Sequence, residues 1–144
     1  MRALLDVNVV IALLDTEHVG HSVATTWFAA ELAQGWASCP ITENGTVRIM
    51  ASAGYPNPLP VAAILQRLTM AKATQHYGFW PDDISLTDAE IFNPAELLGP
   101  KQITDRYLLA LAVRNNGRFI TFNQAIRPTA VAGATAEQLV QLSG

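Results

Sequence analysis

Residues 1–15 read MRALLDVNVVIALLD and contain the clearest structural signal in the chain. The short apolar run at residues 3–5 has the length and bulk of a buried strand, and Asp6 follows it directly. A second apolar run, residues 9–14, predicts the first turns of a buried helix with Asn8 at its N-cap. Asp6 is therefore expected at the carboxyl end of a first strand, which is the edge where open α/β sheets bind ligands.

The composition indicates one compact domain over residues 1–144. Half of the residues are apolar and 15% are charged, which excludes disorder of the whole chain. No apolar run approaches the roughly 20 residues that cross a bilayer, and the amino terminus lacks the basic region and cleavage site of a secretion signal. Cys39 is the only cysteine, which excludes an intrachain disulfide and predicts a reducing, cytoplasmic location.

The net charge of −3 argues against a protein that holds nucleic acid through diffuse basic charge. A nuclease is not excluded by this value. Acidic residues gathered around divalent cations lower the net charge, while the cations themselves meet the phosphate groups.

Segments typical of strands and helices alternate along the rest of the chain. Helices are predicted at residues 23–32, 42–54, 61–77 and 103–113, with a further short helix opened by a capping box at residues 87–90. Strands are predicted at residues 36–39 and 118–122 and within 79–86. Residues 138–142 fit either an edge strand or a helical turn. The alternation predicts an α/β fold, a parallel sheet with helices on both faces.

Three acidic residues stand at predicted chain reversals. Asp6 follows the first strand, Glu43 lies in the first turn of a helix, and Asp105 begins the helix that leads to the strand ending at Asn123. These positions can meet at one edge of a parallel sheet, where oxygen ligands without histidine or cysteine suit Mg²⁺ or Mn²⁺. Such an ion would orient a water molecule, lower its pKa and shield a phosphodiester during in-line attack.

A purely structural explanation competes with the metal site. A carboxylate in the first turn of a helix interacts favourably with the helix dipole, which accounts for Glu43 or Asp105 taken singly. Asp6 is harder to explain in this way because it lies between two apolar runs. An ionised carboxylate there is costly unless a positive group meets it.

Four blocks of the sequence together resemble the PIN domain, and more narrowly the VapC toxins of bacterial toxin–antitoxin pairs. The blocks are LLDVNVVIALL at residues 4–14, TE at 42–43, TDRYLLALA at 104–112 and FITFN at 119–123. They occur in the family's order and at its usual spacing over nearly the whole chain. The resemblance implies a Rossmann-like fold, Mg²⁺- or Mn²⁺-dependent endoribonuclease activity, a homodimer and inhibition by a cognate antitoxin.

The resemblance also implies roles for individual residues. It makes Asp6, Glu43 and Asp105 the metal ligands. It assigns positioning roles beside the metal or the substrate to Asn8 and Thr104, and a hydroxyl near the metal to Thr121.

Asn123 departs from the family pattern, which usually has aspartate at this position. An amide oxygen can ligate Mg²⁺ or hold a metal-bound water, but it brings no charge. We therefore expect weaker metal binding and a one-metal enzyme with reduced activity. Two alternatives stay open, a PIN-like module that binds RNA or protein without cutting, and a Mg²⁺-dependent phosphohydrolase with Asp6 as nucleophile. Asn8 argues against the phosphohydrolase, because that class has a second aspartate at this spacing.

Basic side chains near these blocks have two explanations each. Arg106, one residue past Asp105, could reach an RNA phosphate or point into solvent. His18 and His21 flank the start of a helix and could touch phosphate, but surface or capping roles are favoured. Without a third partner the two histidines do not form a zinc site.

Overall fold

A computed structural model describes residues 1–97 and 99–144 as one sheet covered by helices on both faces. The strands are β1 (Ala3–Leu5), β2 (Trp36–Ser38), β3 (Tyr77–Phe79), β4 (Arg118–Thr121) and β5 (Leu139–Gln141). The α-helices are α1 (Val7–Leu14), α2 (His21–Glu31), α3 (Pro40–Met50), α4 (Val61–Lys72) and α5 (Ile103–Arg114). Short 3₁₀ helices lie at Leu32–Gln34, Pro94–Glu96, Pro100–Gln102, Pro128–Ala130 and Ala136–Gln138. None of the helices within these ranges is long and apolar enough to cross a membrane.

The sheet is parallel, and its strands follow the order β3-β2-β1-β4-β5. The chain leaves β1 toward β2 on one side and later returns to its other side with β4. The gap between β1 and β4 is therefore the topological switch point, where open α/β sheets bind their ligands at the carboxyl ends of the strands. Asp6 follows β1 at this point, and Asn123 lies just beyond the end of β4.

Alternate residues of β1 enter two separate hydrophobic layers, as the two-residue period of a strand requires. Leu5 packs with buried residues of α1 and α4 on one face. Leu4 packs on the other face with Phe119 and with a fully buried run of α5, residues 108–112. The predicted parallel sheet with two helical layers is confirmed.

The start of α1 differs from the prediction. Asp6, not Asn8, is the N-cap residue, because its backbone is extended and its Oδ1 accepts a hydrogen bond from the backbone N–H of Val7 at 2.7 Å. Asn8 lies inside the first turn, where its Oδ1 accepts from the backbone N–H of Phe122 at 3.4 Å. Asn8 therefore ties α1 to the end of β4.

One other helix start, that of α3, also differs from the prediction. Helix α3 begins at Pro40, two residues before Thr42, because proline fits the first helical position, where the N–H has no intrahelical partner. Helix α5 begins at Ile103, and Gln102 is its N-cap without a side-chain hydrogen bond. Thr104 lies in the first turn of α5 and is exposed.

The helix predicted for residues 61–77 is wrong in its last turn. Helix α4 ends at Lys72, and Tyr77 pairs with Trp36 as the first residue of β3. Strand β3 is a partly exposed edge strand, so it lacks the apolar run that made β1 and β4 recognisable. For the same reason, the strand predicted within residues 79–86 includes only Phe79. At the opposite edge of the sheet, residues 138–142 contain the predicted edge strand, β5, rather than the alternative helical turn.

The capping box at residues 87–90 opens no helix. The backbone N–H of Thr87 donates to the Ser85 hydroxyl at 3.1 Å, and that of Glu90 donates to the Asp88 carboxylate at 2.9 Å. Such local bonds between side chain and backbone offer the chain an alternative to helix. The segment therefore forms consecutive turns.

Candidate active site

Asp6 is a buried carboxylate at the carboxyl end of β1, with 5% of its surface exposed. Its Oδ1 accepts from the backbone N–H of Val7 at 2.7 Å, and its Oδ2 accepts from the Thr121 hydroxyl at 2.6 Å. Burial is the main cause that raises the pKa of Asp6 to about 6, and the charge of Asp105 raises it further, against the effect of the two hydrogen bonds. The ionised form of Asp6 is thus poorly stabilised by the protein itself.

Asp105 projects from the first turn of α5 and meets Asn123. The side-chain Nδ2 of Asn123 donates to Asp105 Oδ2 at 2.6 Å, and the backbone N–H of Asn123 donates to the Thr121 hydroxyl at 3.0 Å. Burial raises the pKa of Asp105, and this effect exceeds the opposing effects of Asn123 and of the Arg106 charge. The Thr121 hydroxyl therefore links the two halves of the site, since it donates to Asp6 and accepts from Asn123.

Asp6 and Asp105 line one cavity of about 330 Å³ at the switch point. The other residues that line this cavity are Val7, Asn8, Ile11, His18, Ile49 and Tyr55. A second cavity of about 500 Å³ shares Asp6, Val7 and Ile49 with the first, and Asn44, Arg48 and Thr104 contribute polar side chains to it. The two cavities adjoin at these shared residues, and we call them together the carboxylate groove.

Glu43 is not brought into the carboxylate groove. Its Oε2 accepts from Lys72 Nζ at 2.7 Å, from the Ser38 hydroxyl at 2.7 Å and from the Tyr77 hydroxyl at 3.4 Å. Burial alone would raise the pKa of Glu43, but these hydrogen bonds and the charge of Lys72 outweigh it and hold the pKa below its usual value. Glu43 lines a neighbouring cavity, of about 480 Å³, between α3 and α4, which shares Pro40, Asn44 and Arg48 with the second cavity.

Asn44, the neighbour of Glu43, lines both the cavity of Glu43 and the second cavity of the groove. Consecutive residues of an α-helix are turned by about 100°, so that Glu43 meets α4 while Asn44 also lines the cavity of Asp6. Gly45 allows α3 to approach α1 closely, since a Cβ there would lie 2.8 Å from Val7 Cγ2. The choice between residues 43 and 44 depends on this helix packing, which the sequence does not reveal.

Within residues 1–97 and 99–144, no group of three or more histidine, cysteine, aspartate or glutamate side chains is arranged to hold a metal ion. Two of the predicted ligands, Asp6 and Asp105, share a cavity. The third, Glu43, is paired with Lys72 elsewhere.

The cation of the groove is Arg48 rather than Arg106. Arg106 is 5% exposed, and its Nε and Nη1 are buried without a hydrogen-bond partner in the part of the chain that the structure describes. The solvated position suggested for Arg106 is therefore wrong, and the RNA phosphate contact stays a prediction. Arg48 is exposed and lines the groove beside Asn44. A spacing of four residues on one helix face is the sequence signal that could have linked Asn44 to Arg48.

Two loop residues complete the cavity that contains the carboxylates. The Tyr55 hydroxyl donates to the carboxylate of Asp15, at the end of α1. His18 Nδ1 accepts a hydrogen bond from the backbone N–H of Gly20 at 2.9 Å. The sequence favoured a surface or capping role for His18, and the hydrogen bond from Gly20, the N-cap of α2, agrees with it. His18 also lines the same cavity as Asp6 and Asp105.

Comparison with known proteins agrees with this architecture. The PIN domain profile matches residues 3–132. The chain is 49% identical over 142 residues to Ribonuclease VapC44 of Mycobacterium tuberculosis, covering 99% of this chain and 100% of that protein. It is 42% identical over 135 residues to Ribonuclease VapC39 of the same species, covering 92% and 96% of the two chains.

A solved structure has the same fold. The crystal structure of VapBC2 from Rickettsia felis bound to a DNA fragment from their promoter superposes with a TM-score of 0.65 and covers 99% of this chain and 100% of the compared chain. The sequence identity is 12%, so this similarity concerns the fold alone. The profile match and the full-length relatives show that the chain belongs to the PIN domain family and, within that family, to the VapC ribonucleases.

Proposed function

We propose that the protein is a VapC-type endoribonuclease toxin that hydrolyses phosphodiester bonds of RNA and is inhibited by a cognate antitoxin. The observation that carries the proposal is the pair of carboxylates, Asp6 and Asp105, in one cavity at the switch point of the sheet. Relatives named as ribonucleases match nearly the full chain. This similarity supports an RNA-cleaving enzyme over a PIN-like module that only binds.

The chemistry of this pair fits a divalent cation such as Mg²⁺ or Mn²⁺. The donors that meet Asp6 are a backbone N–H and a hydroxyl, both neutral, so its charge has no cationic partner among the described residues. Asp6 and Asp105 would hold the ion through hard oxygen atoms, which both metals prefer. When bound, the ion would activate a water molecule and offset the charge of the phosphate.

The neighbouring residues orient the carboxylates and receive the RNA. Thr121 holds Asp6, and Asn123 holds Asp105, each through a hydrogen bond of 2.6 Å. Arg48 and Thr104 line the adjoining cavity, where Arg48 can contact a phosphate of the bound strand. Because the chain has a net charge of −3, a cation beside the site is important for attracting the RNA phosphates.

The proposal includes a protein partner. Two carboxylates that share a cavity without an ion pair attract a basic side chain, which is how we expect the antitoxin to block the groove. The homodimer rests on the family resemblance.

The test is cleavage of total bacterial RNA by purified, antitoxin-free protein. We expect discrete fragments with Mg²⁺ or Mn²⁺, and intact RNA with EDTA or with the Asp105→Asn variant. If the wild type leaves RNA intact but Asn123→Asp cuts it, the protein is a disabled nuclease. If neither protein cuts with either ion, the binding-module alternative is correct.

A second expected result concerns Glu43. Glu43→Gln should keep an affinity for Mn²⁺ close to that of the wild type, because Glu43 is paired with Lys72 outside the carboxylate groove. Asp105→Asn should weaken the affinity by at least about tenfold. Isothermal titration calorimetry measures both values. An equal loss in the two variants would show that Glu43 leaves Lys72 to bind the ion.

A further inference from the structure

His18 is held in place by its own loop, between α1 and α2. Its backbone N–H donates to the Asp15 carbonyl at 3.1 Å, and its carbonyl accepts from the His21 N–H at 3.0 Å. Gly20 sits directly on the ring of Phe122, where a Cβ would approach within 2.8 Å. The loop therefore packs against Phe122, which lies between Thr121 and Asn123 beside the carboxylates.

The hydrogen bond from Gly20 determines where the proton of the imidazole lies. Because Nδ1 of His18 accepts this bond at 2.9 Å, the neutral ring carries its proton on Nε2. No described residue accepts a hydrogen bond from Nε2. The Nε2–H group of His18 is thus a free donor. The lone pair of Nδ1 accepts the bond from Gly20, so the ring is not a metal ligand in this tautomer.

Apart from the side-chain amide N–H of Asn8, the other uncharged polar atoms of this cavity already have hydrogen-bond partners. The Tyr55 hydroxyl donates to Asp15, and the Asn8 carbonyl oxygen accepts from the Phe122 backbone. The remaining lining consists of the two carboxylates and three aliphatic side chains, listed as Val7, Ile11 and Ile49. Carboxylates repel an RNA phosphate, whereas an N–H group attracts its oxygen atoms.

We propose that His18 contacts the RNA substrate directly, with Nε2–H donating a hydrogen bond to a non-bridging oxygen of the phosphodiester in the cavity of Asp6 and Asp105. The inference rests on the proposed ribonuclease function and adds a substrate-contacting residue to it. The contact needs only the neutral ring, because the proton already lies on Nε2.

Two substitutions separate this contact from the structural role of the ring. In His18→Asn the side-chain oxygen can replace Nδ1 as acceptor for Gly20, but no atom reaches the position of Nε2. In His18→Gln the amide N–H can reach that position, but the acceptor for Gly20 is lost. His76→Asn is the matched control. His76 lies before β3 and accepts a hydrogen bond from Arg2 through its backbone carbonyl, which the substitution keeps.

We expect His18→Asn to lower kcat/KM for RNA by about 10- to 100-fold, the usual effect of losing a hydrogen bond to a charged group. Its urea midpoint and its affinity for Mn²⁺ should match those of the wild type. His18→Gln should retain more activity than His18→Asn while being less stable, and His76→Asn should behave as wild type.

Three results would overturn the inference. The first is an unchanged kcat/KM in His18→Asn. The second is a loss of Mn²⁺ affinity in that variant, which would make His18 a metal ligand. The third is an activity of both His18 variants that falls only in proportion to their stability. If the wild type does not cut RNA, the ribonuclease proposal fails separately. Fluorescence anisotropy with a labelled single-stranded RNA and Mn²⁺ then decides: the wild type should bind more tightly than His18→Asn, and equal binding would reject the contact.

Discussion

Asp6→Asn is expected to raise the free energy of unfolding of the metal-free protein by about 3 kcal/mol above neutral pH, while abolishing RNA cleavage. Burial raises the pKa of Asp6 from 3.8 to about 6, and each pKa unit corresponds to about 1.4 kcal/mol. Asparagine caps a helix as well as aspartate does, and the Thr121 hydroxyl can rotate to accept from its amide. The substitution therefore removes an unfavourable charge with little loss of hydrogen bonding.

The pH dependence identifies the origin of this gain. Because the folded pKa lies above the unfolded one, the protonated carboxyl is favoured by folding. The wild type therefore loses stability as pH rises from about 4 to about 6, and the loss is complete above that range. Asp6→Asn lacks this titration. Urea denaturation in EDTA across this pH range should show that the difference in free energy of unfolding between Asp6→Asn and the wild type grows with pH. A difference independent of pH would contradict the explanation.

The same pair of proteins tests the metal. At a Mn²⁺ concentration 100 times its Kd, the wild type should gain about 2.7 kcal/mol of stability by mass action, while Asp6→Asn should gain little. Glu43→Gln, which changes a carboxylate outside the groove, is the control and should respond like the wild type. Equal stabilisation of Asp6→Asn would exclude Asp6 as a ligand.

Asn123→Asp is expected to tighten Mn²⁺ binding by about tenfold or more and to increase RNA cleavage, because it restores a charged oxygen ligand beside Asp105. In the metal-free protein the same change should lower stability by about 2 kcal/mol, since the 2.6 Å hydrogen bond from Asn123 to Asp105 is replaced by repulsion between two carboxylates. Calorimetry and urea denaturation measure the two effects.

Asn123→Ala provides the matched control. It removes the hydrogen bond without adding charge, so it should lose stability and gain no affinity for Mn²⁺. Equal Mn²⁺ affinities of the wild type and Asn123→Asp would show that this position does not limit metal binding. The hypothesis of a one-metal enzyme weakened by the missing carboxylate would then be wrong.

The central part of the fold was predictable because its signals are local. Strands β1 and β4 and helix α5 are largely buried, so their sequences contain dense apolar runs. Asp6 stands out because it interrupts such a run. The edge strand β3 was missed, since a half-exposed strand of three residues needs no apolar pattern. Its place is set by pairing with β2, a contact between distant parts of the chain.

The candidate site was predictable only where it follows from strand ends. Asp6 and Asp105 were expected together, and they line one cavity. The sequence does not reveal that Glu43 is paired with Lys72 or that Arg106 is buried, because a rotation of one residue on a helix decides what a side chain meets. The roles of both residues in the site stay predictions. His18 reaches the carboxylates through a loop that rests on Phe122, and no spacing in the sequence indicates that contact.

Asp6 begins helix α1 and also stands at the centre of the proposed metal site. If the proposal is correct, folding and ion binding depend on one carboxylate, and we expect the protein without its ion to be the less stable form. Cellular proteases degrade a chain in proportion to how often it unfolds, so a difference of a few kcal/mol changes its abundance several-fold. The supply of divalent ions would in this way set the lifetime of the free protein in the cell, as well as its activity.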